Sequence, residues 1–382
     1  MIYADNAATT RLSEAAFVAM MPFLREDYGN PSATHAMGRA AKTAVEAARR
    51  EIADAIGARN NEIYFTSGGT EADNLAVFAA LAAPKKRGKH IISTTIEHSA
   101  ILRTLEKYAA EGYEVTLLKP ESDGIIAVEA LEKALRDDTV FVSVMAANNV
   151  VGTIQPIAEL CAAAKKRGAV FHTDAVQACG HIPLNVRTLG VDLLSISAHK
   201  FNGPKGTGAL YARLPQKIPP LLTGGGQEKG ARSGTENVAG IVGMAAALRE
   251  SVAEMPEVSA RVAELRDYLI AGVLEITGSR LTGDSVRRLP GSASFVFEGL
   301  AGQDLVWFLD EAGVAASSGS ACMAGSDLPS HVLSALGFDE RLAKSALRLT
   351  LGRYNTREDA DGILRALPGC VLKARQLGKT RL

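Results

Sequence analysis

From about Gly38 to Tyr211 the chain alternates between two hydrophobic periods, and this restricts its fold more than any other feature. Ala41, Ala44, Val45, Ala48, Ile52 and Ile56 recur at helical spacing, with Gly57 as the stop. A short strand at 63–65, a glycine turn and a helical run at 71–81 come next. The pattern predicts a strand at 90–93, a helix at 99–110 closed by Gly112, a strand at 114–118 and a helix at 128–135. It continues with a continuous apolar strand at 139–145, a helix at 156–166 ended by Gly168, and strands at 169–173, 193–197 and 208–211. Strands without polar alternation, separated by amphipathic helices, belong to a sheet buried on both faces. The expectation is a mostly parallel α/β domain whose ligand lies at the carboxyl ends of the strands.

Past Gly224-Gly225-Gly226, residues 238–274 are helical in pattern and form a long connector, interrupted at Gly240, Gly243, Pro256 and Gly272. The remainder predicts strands at 294–297 and 347–351, helices at 303–312 and 330–336, and a final helix from near Thr356, making a smaller α+β unit. Lys+Arg and Asp+Glu both number 42, and this balance argues against a nucleic-acid coat or a polybasic membrane binder. No segment approaches the ~20 apolar residues that span a bilayer. Met1-Ile2-Tyr3-Ala4 has no basic region ahead of an apolar run, so no secretory signal is expected. The four cysteines, Cys161, Cys179, Cys322 and Cys370, form no CxxC pair, so neither a zinc cluster nor a disulfide framework is expected, and the cytoplasm is the simplest location.

Three features fall at one rim of the expected sheet. Thr66-Ser67-Gly68-Gly69-Thr70-Glu71 follows a strand and opens a helix, where backbone N–H groups, hydroxyls and the helix dipole can hold a phosphate. The plainer alternative is a capped turn. Asp174 ends an otherwise apolar strand, where a carboxylate is costly to bury unless something pairs with it, although it could simply cap a turn. Gln177 adds a polar group nearby. Lys200, in Ser197-Ala198-His199-Lys200, follows apolar strand residues and precedes a Gly/Pro turn. Partly desolvated, such a lysine can form an imine with a carbonyl, whereas a surface lysine is the default for any one taken singly. Together the three match an aldehyde cofactor with a phosphate and a pyridinium nitrogen, pyridoxal 5'-phosphate.

Two further residues stand out. Cys322 sits in a run of small residues, 315–326, which packs little and is expected to be mobile. It is the best nucleophile candidate against the alternative of an inert loop thiol. Arg348 is a charge inside Leu347-Arg348-Leu349-Thr350-Leu351. It could receive a substrate carboxylate in two parallel hydrogen bonds, or lie on a polar strand face with Thr350.

These residues resemble the cysteine desulfurases, in the class V branch of the fold-type I pyridoxal-phosphate enzymes. The match runs in order through Tyr3 to Thr10, Gly29-Asn30-Pro31-Ser32, Thr66 to Asn74, Glu97-His98, Asn148-Asn149 and Thr173 to Gln177. It continues through Ser197 to Gly206, Arg232-Ser233-Gly234-Thr235, Ser317 to Cys322 and Arg348 to Arg353. The resemblance implies an α/β fold-type I transferase with a mostly parallel seven-stranded sheet flanked by helices. Its large cofactor domain would span 13–255, and a small α+β domain would combine 1–12 with 256–382 and carry the cysteine loop at about 315–330. Lys200 would carry the cofactor and Asp174 would hold its ring nitrogen. His98 would stack on the ring and shuttle a proton, and Gln177 would bond the phenolic oxygen. Gly69, Thr70, Ser197 and His199 would grip the phosphate, with Thr235 reaching over from the other subunit of a homodimer. Asn149 would contact cofactor and substrate, and Asn30 and Arg348 would bind the substrate carboxylate region.

The implied activity converts L-cysteine to L-alanine, with Cys322 taking the sulfur as a persulfide. Iron–sulfur cluster assembly or another sulfur-acceptor protein would receive it. No resident metal is implied, although Cys322 could touch a cluster transiently. A selenocysteine lyase or another pyridoxal-phosphate β-eliminating lyase would share the cofactor residues. The chain departs from the family pattern at Val150, at Gln227-Glu228-Lys229 and at Met323.

Overall fold

The computed structural model describes residues 1–82, 88–319 and 328–380. In chain order its strands are β1 (Ile2–Tyr3), β2 (Ile63–Thr66), β3 (His90–Thr94), β4 (Glu114–Leu118), β5 (Thr139–Ser143) and β6 (Val170–Asp174). There follow β7 (Leu193–Ser197), β8 (Gly208–Ala212), β9 (Ser279–Leu281), β10 (Ser292–Phe297), β11 (Val314–Ala315) and β12 (Leu347–Thr350). The main sheet has seven strands in the order β2-β8-β7-β6-β5-β3-β4. Only β8 runs against its neighbours, so the sheet is mostly parallel as the alternation predicts.

Period two sorts these strands onto two faces. Val142, Phe171, Leu194 and Ile196 join a core on one side with Val45, Ile52 and Ile56 of the helix Ala36–Ile56. Phe141, Val170, Leu193 and Leu210 join another on the opposite side with Leu75 and Ala79 of the helix Gly69–Ala82. Burial on both faces is why these strands lack polar alternation. The helix Ala36–Ile56 stops where foreseen, at Gly57, whose φ of 71° is left-handed and costs glycine little.

A second, antiparallel sheet in the order β12-β10-β9 covers its own core of Phe295, Phe297, Leu347 and Leu349 with Ile363 and Leu367 of the helix Arg357–Thr380. β1 pairs in parallel with β11, which fastens the amino terminus to this unit.

Two elements differ from expectation. The segment Val238–Leu274 is helical over the expected bounds, 37 residues, but it runs unbroken through Gly240, Gly243, Pro256 and Gly272, where breaks were expected. Its glycines serve close packing instead of ending it: a Cβ on Gly243 would lie 2.5 Å from Met20 and one on Gly272 2.6 Å from Leu364. Ile241 and Leu248 enter the first core and Leu269 and Val273 the small one, and this double anchorage holds the helix through Pro256. The helix Glu14–Arg25, capped by Ser13, went unforeseen because Phe17, Val18 and Leu24 are exposed and blur the apolar stripe. Among the described residues no helix is long and apolar enough to cross a membrane.

Candidate active site

The carboxyl ends of β2, β6 and β7 open on a cleft of about 350 Å³, lined by Gly69, Thr70, Asp174, Gln177, Ser197, His199 and Lys200. Parallel strands put these ends on one edge, so residues 130 positions apart in the chain become neighbours there. Beyond β2 the backbone turns at Gly68-Gly69 into the helix Gly69–Ala82. A Cβ on Gly69 would come within 2.8 Å of Val176, so the loops after β2 and β6 touch only because this residue is glycine. Glu71 braces the turn, accepting from Ser67 N at 2.9 Å and from Arg232 Nε at 2.8 Å.

Asp174 is 5% exposed, and its Oδ1 accepts from Val176 N at 2.9 Å. Burial pushes its carboxyl above the usual range, while His98 and Lys200 pull it back. Next to it, at the end of β7, Lys200 Nζ donates to the carbonyls of Ala7 at 2.6 Å and Ala8 at 2.7 Å. Gln177 Nε2 donates to the same Ala7 oxygen at 2.9 Å. The lysine loop is in turn stitched to this amino-terminal arm. Thr10 Oγ1 donates to His199 O at 2.7 Å, and Asn202 N donates to Thr10 Oγ1 at 2.8 Å. His199 Nδ1 meets Thr9 Oγ1 at 3.2 Å, and burial, helped by Lys200 and Lys205, lowers its ring to about 4. His98 caps the helix Ser99–Ala110: its Nδ1 accepts from Ala100 N at 3.1 Å, which leaves the proton of the neutral ring on Nε2.

Asn149 and Arg348 also line the cleft. Arg348 has no polar strand face to lie on, because all four residues of β12 are buried. Its Nη1 donates to Asn149 O at 2.9 Å and its Nη2 to Asp5 Oδ1 at 2.7 Å. Three lining or adjoining groups escaped the sequence reading as site residues. Asp73, 1% exposed beside Asp174, is pushed well above the carboxylate range by burial and by that neighbour. Glu97 is fully buried and pushed up to about 8 by burial. His331 lines the cleft and contacts Glu97 O through Nε2 at 3.1 Å. A usable signal existed for Asp73, a carboxylate among Ala72, Leu75 and Ala76 of one helix.

The single chain does not bring every expected residue to the cleft. Asn30 lies in the turn before the helix Ala36–Ile56, its Oδ1 accepting from Ser32 N at 2.9 Å, and it does not line the cleft. Thr235 lines a separate depression of about 160 Å³ with Arg232 and Gly234. Cys322 lies outside the described residues, but Gly319 and Ser330, on either side of its segment, both line the cleft. The described thiols are poor nucleophiles: burial pushes Cys161 up to about 11 and Cys179 up to about 12, and raises Cys370. No group of ligands that could hold a metal occurs among the described residues.

A buried carboxylate, a lysine amine and a glycine-and-hydroxyl turn at a helix N-terminus therefore share one pocket. Such a set can hold a phosphorylated aldehyde with a basic ring nitrogen.

Comparison with known proteins points the same way. Residues 2–363 match the family model described as aminotransferase class-V. The chain is 47% identical to the cysteine desulfurase IscS of Methanosarcina thermophila over 98% of its own length and 93% of that protein's. It is 48% identical to the cysteine desulfurase IscS of Dictyoglomus turgidum, over 98% and 96%. Among solved structures, a NifS-like protein superposes with a TM-score of 0.92 at 39% identity, covering 97% of this chain and 99% of that one. A NifS-like protein from Rickettsia africae gives a TM-score of 0.88 at 32% identity over the same shares, 97% and 99%.

Proposed function

The chain belongs to the class-V aminotransferase family and is a cysteine desulfurase, and from that premise we propose that its cleft holds pyridoxal 5'-phosphate, the cofactor of that family. The residues present suit the group. Asp174 is buried with one backbone donor, so a protonated ring nitrogen supplies the counter-charge its environment calls for. Thr70, Ser197 and His199, with the backbone at Gly69, offer donors to the phosphate at a helix N-terminus. His98 and Gln177 line the same cleft, where His98 would stack on the cofactor ring and Gln177 would bond its phenolic oxygen. The observation that carries the reading is that Lys200 Nζ and the Asp174 carboxylate share one cleft at the ends of paired strands β6 and β7.

When bound, the cofactor draws electrons from the Cα of the amino acid attached to it. Lys200 anchors the cofactor through Nζ and moves the Cα proton, and His98 moves a second proton at the substrate. Arg348 and Asn149, which line the cleft, orient the carboxylate of L-cysteine. The Cys322 thiolate attacks substrate Sγ: the Cβ–Sγ bond breaks, a sulfur–sulfur bond forms, and the pair left on the carbon skeleton is protonated to give L-alanine. Cys322 is left as a persulfide, and its outer sulfur passes to an acceptor protein, of which an iron–sulfur cluster scaffold is the leading kind. Thr235 serves the cleft of a second copy in a homodimer, consistent with its place outside this one. The chain divides into a large domain of 13–255 and a small one of 1–12 with 256–382, and it works in the cytoplasm.

Two variants test the reading. Cys322→Ser is expected to keep the yellow cofactor and lose sulfide release from L-cysteine. Lys200→Ala is expected to abolish the fixing of cofactor to protein by borohydride. Desulfuration retained without Cys322, or cofactor still fixed without Lys200, would reject the respective role.

A further inference from the structure

We propose that Asp5 sets the affinity of the carboxylate subsite by pairing with the charged guanidinium of Arg348, so that the pair carries no net charge before substrate arrives. This rests on Arg348 being the receiver of the L-cysteine carboxylate. The Arg348 side chain is 2% exposed and its Nη2 lies 2.7 Å from Asp5 Oδ1. Nη1 is spent on the carbonyl of Asn149, while Nε is buried with no hydrogen-bond partner among the described residues. The guanidinium therefore keeps N–H capacity for a ligand, yet its charge is already matched.

Asp5 is well fixed for this task. Residue 5 bridges to Thr350 of β12, Asn6 N donates to Thr350 O at 3.2 Å, and Ala7 N donates to Thr350 Oγ1 at 2.9 Å. The same arm presents the carbonyls of Ala7 and Ala8 that hold Lys200 Nζ. A substrate carboxylate arriving at the fork meets a second carboxylate across one guanidinium, and this like-charge contact limits how tightly it is held. Substrate and product carry the same carboxylate, so a fork at full charge would retain L-alanine as firmly as it captures L-cysteine. The fork whose charge Asp5 already balances releases both.

The test uses holoenzyme and L-alanine as the probe, followed by the change in visible absorption of the bound cofactor. Asp5→Asn keeps an acceptor oxygen for Nη2 and removes the negative charge. It is expected to lower the Kd for L-alanine about five- to tenfold and to make it fall further as salt is withdrawn. KM for L-cysteine falls in parallel without a rise in kcat. Asp5→Glu, which keeps the charge, stays closer to the natural enzyme than Asp5→Asn does. If Asp5→Asn does not accumulate as holoenzyme, Asp5→Ser reads the same loss of charge. An L-alanine Kd that is unchanged or raised, with or without a lower Tm, means that Asp5 only supports the fold or the pose of Arg348 and overturns the proposal. Arg348→Lys is measured alongside. If it leaves KM for L-cysteine unchanged, the reading of Arg348 itself fails, whatever Asp5 does.

Discussion

Replacing Glu228 by glutamine removes the counter-charge of a guanidinium that the fold cannot expose. The side chains of Arg49 and Glu228 are 4% and 3% exposed and meet in a fork, Nη1 to Oε2 at 2.7 Å and Nη2 to Oε1 at 2.8 Å. Glu228 Oε2 also accepts from Phe65 N at 2.8 Å, one residue before the strand end that leads to the Gly68-Gly69 turn. Breaking a buried pair by removing one partner costs about 3–5 kcal/mol, because the other charge is left uncompensated. Glu46 remains 3.1 Å from Arg49 Nε but is itself 41% exposed, so the lower end, about 3 kcal/mol, applies here. At about 2.1 cal/mol/K of unfolding entropy per residue, 382 residues give about 0.8 kcal/mol/K, so Tm should fall by about 4 °C. The assay is scanning calorimetry at fixed scan rate, protein concentration and cofactor, since each shifts the midpoint. Arg49→Met combined with Glu228→Gln should recover most of the loss, because no charge is then stranded. A single-variant shift below about 1 °C, or a double variant no better than the single, would refute the reasoning.

Two further outcomes follow from the buried ionisable groups. Glu97 holds its proton up to about 8 in the fold and only to about 4.5 when unfolded, so its contribution to stability declines as pH rises between those values. Glu97→Gln, which mimics the protonated side chain, should gain on the natural protein between pH 5 and pH 8 by up to about 3 kcal/mol, or about 4 °C, and a Tm difference independent of pH would contradict this. Raised thiols are slow nucleophiles, so brief iodoacetamide treatment of the native holoenzyme at pH 8 should label Cys322 and spare Cys161, Cys179 and Cys370. Mass spectrometry that finds Cys179 modified first would contradict the burial argument.

Local chemistry was enough to write down most of the sheet and half of the cleft. An apolar strand buried on both faces has the same signature wherever it occurs, and a charge at the end of such a strand is conspicuous because burial is costly. That is why Asp174 and Lys200 were legible from residues near them, and why the stop at Gly57 fell where a left-handed turn was needed. Contacts between distant segments left no such trace. Arg348 alternates with leucines as an exposed strand residue would, yet β12 is covered on both sides and the partner of Arg348 is Asp5, 343 positions away. Pro256 and the glycines of Val238–Leu274 signal interruption in any local window, and only packing against two cores keeps that helix whole. Asp73, Glu97 and His331 became site neighbours through desolvation and crowding, which depend on what the rest of the chain places around a group. Backbone periodicity is written residue by residue, whereas the electrostatics of a pocket exist only once distant residues have been brought to its walls.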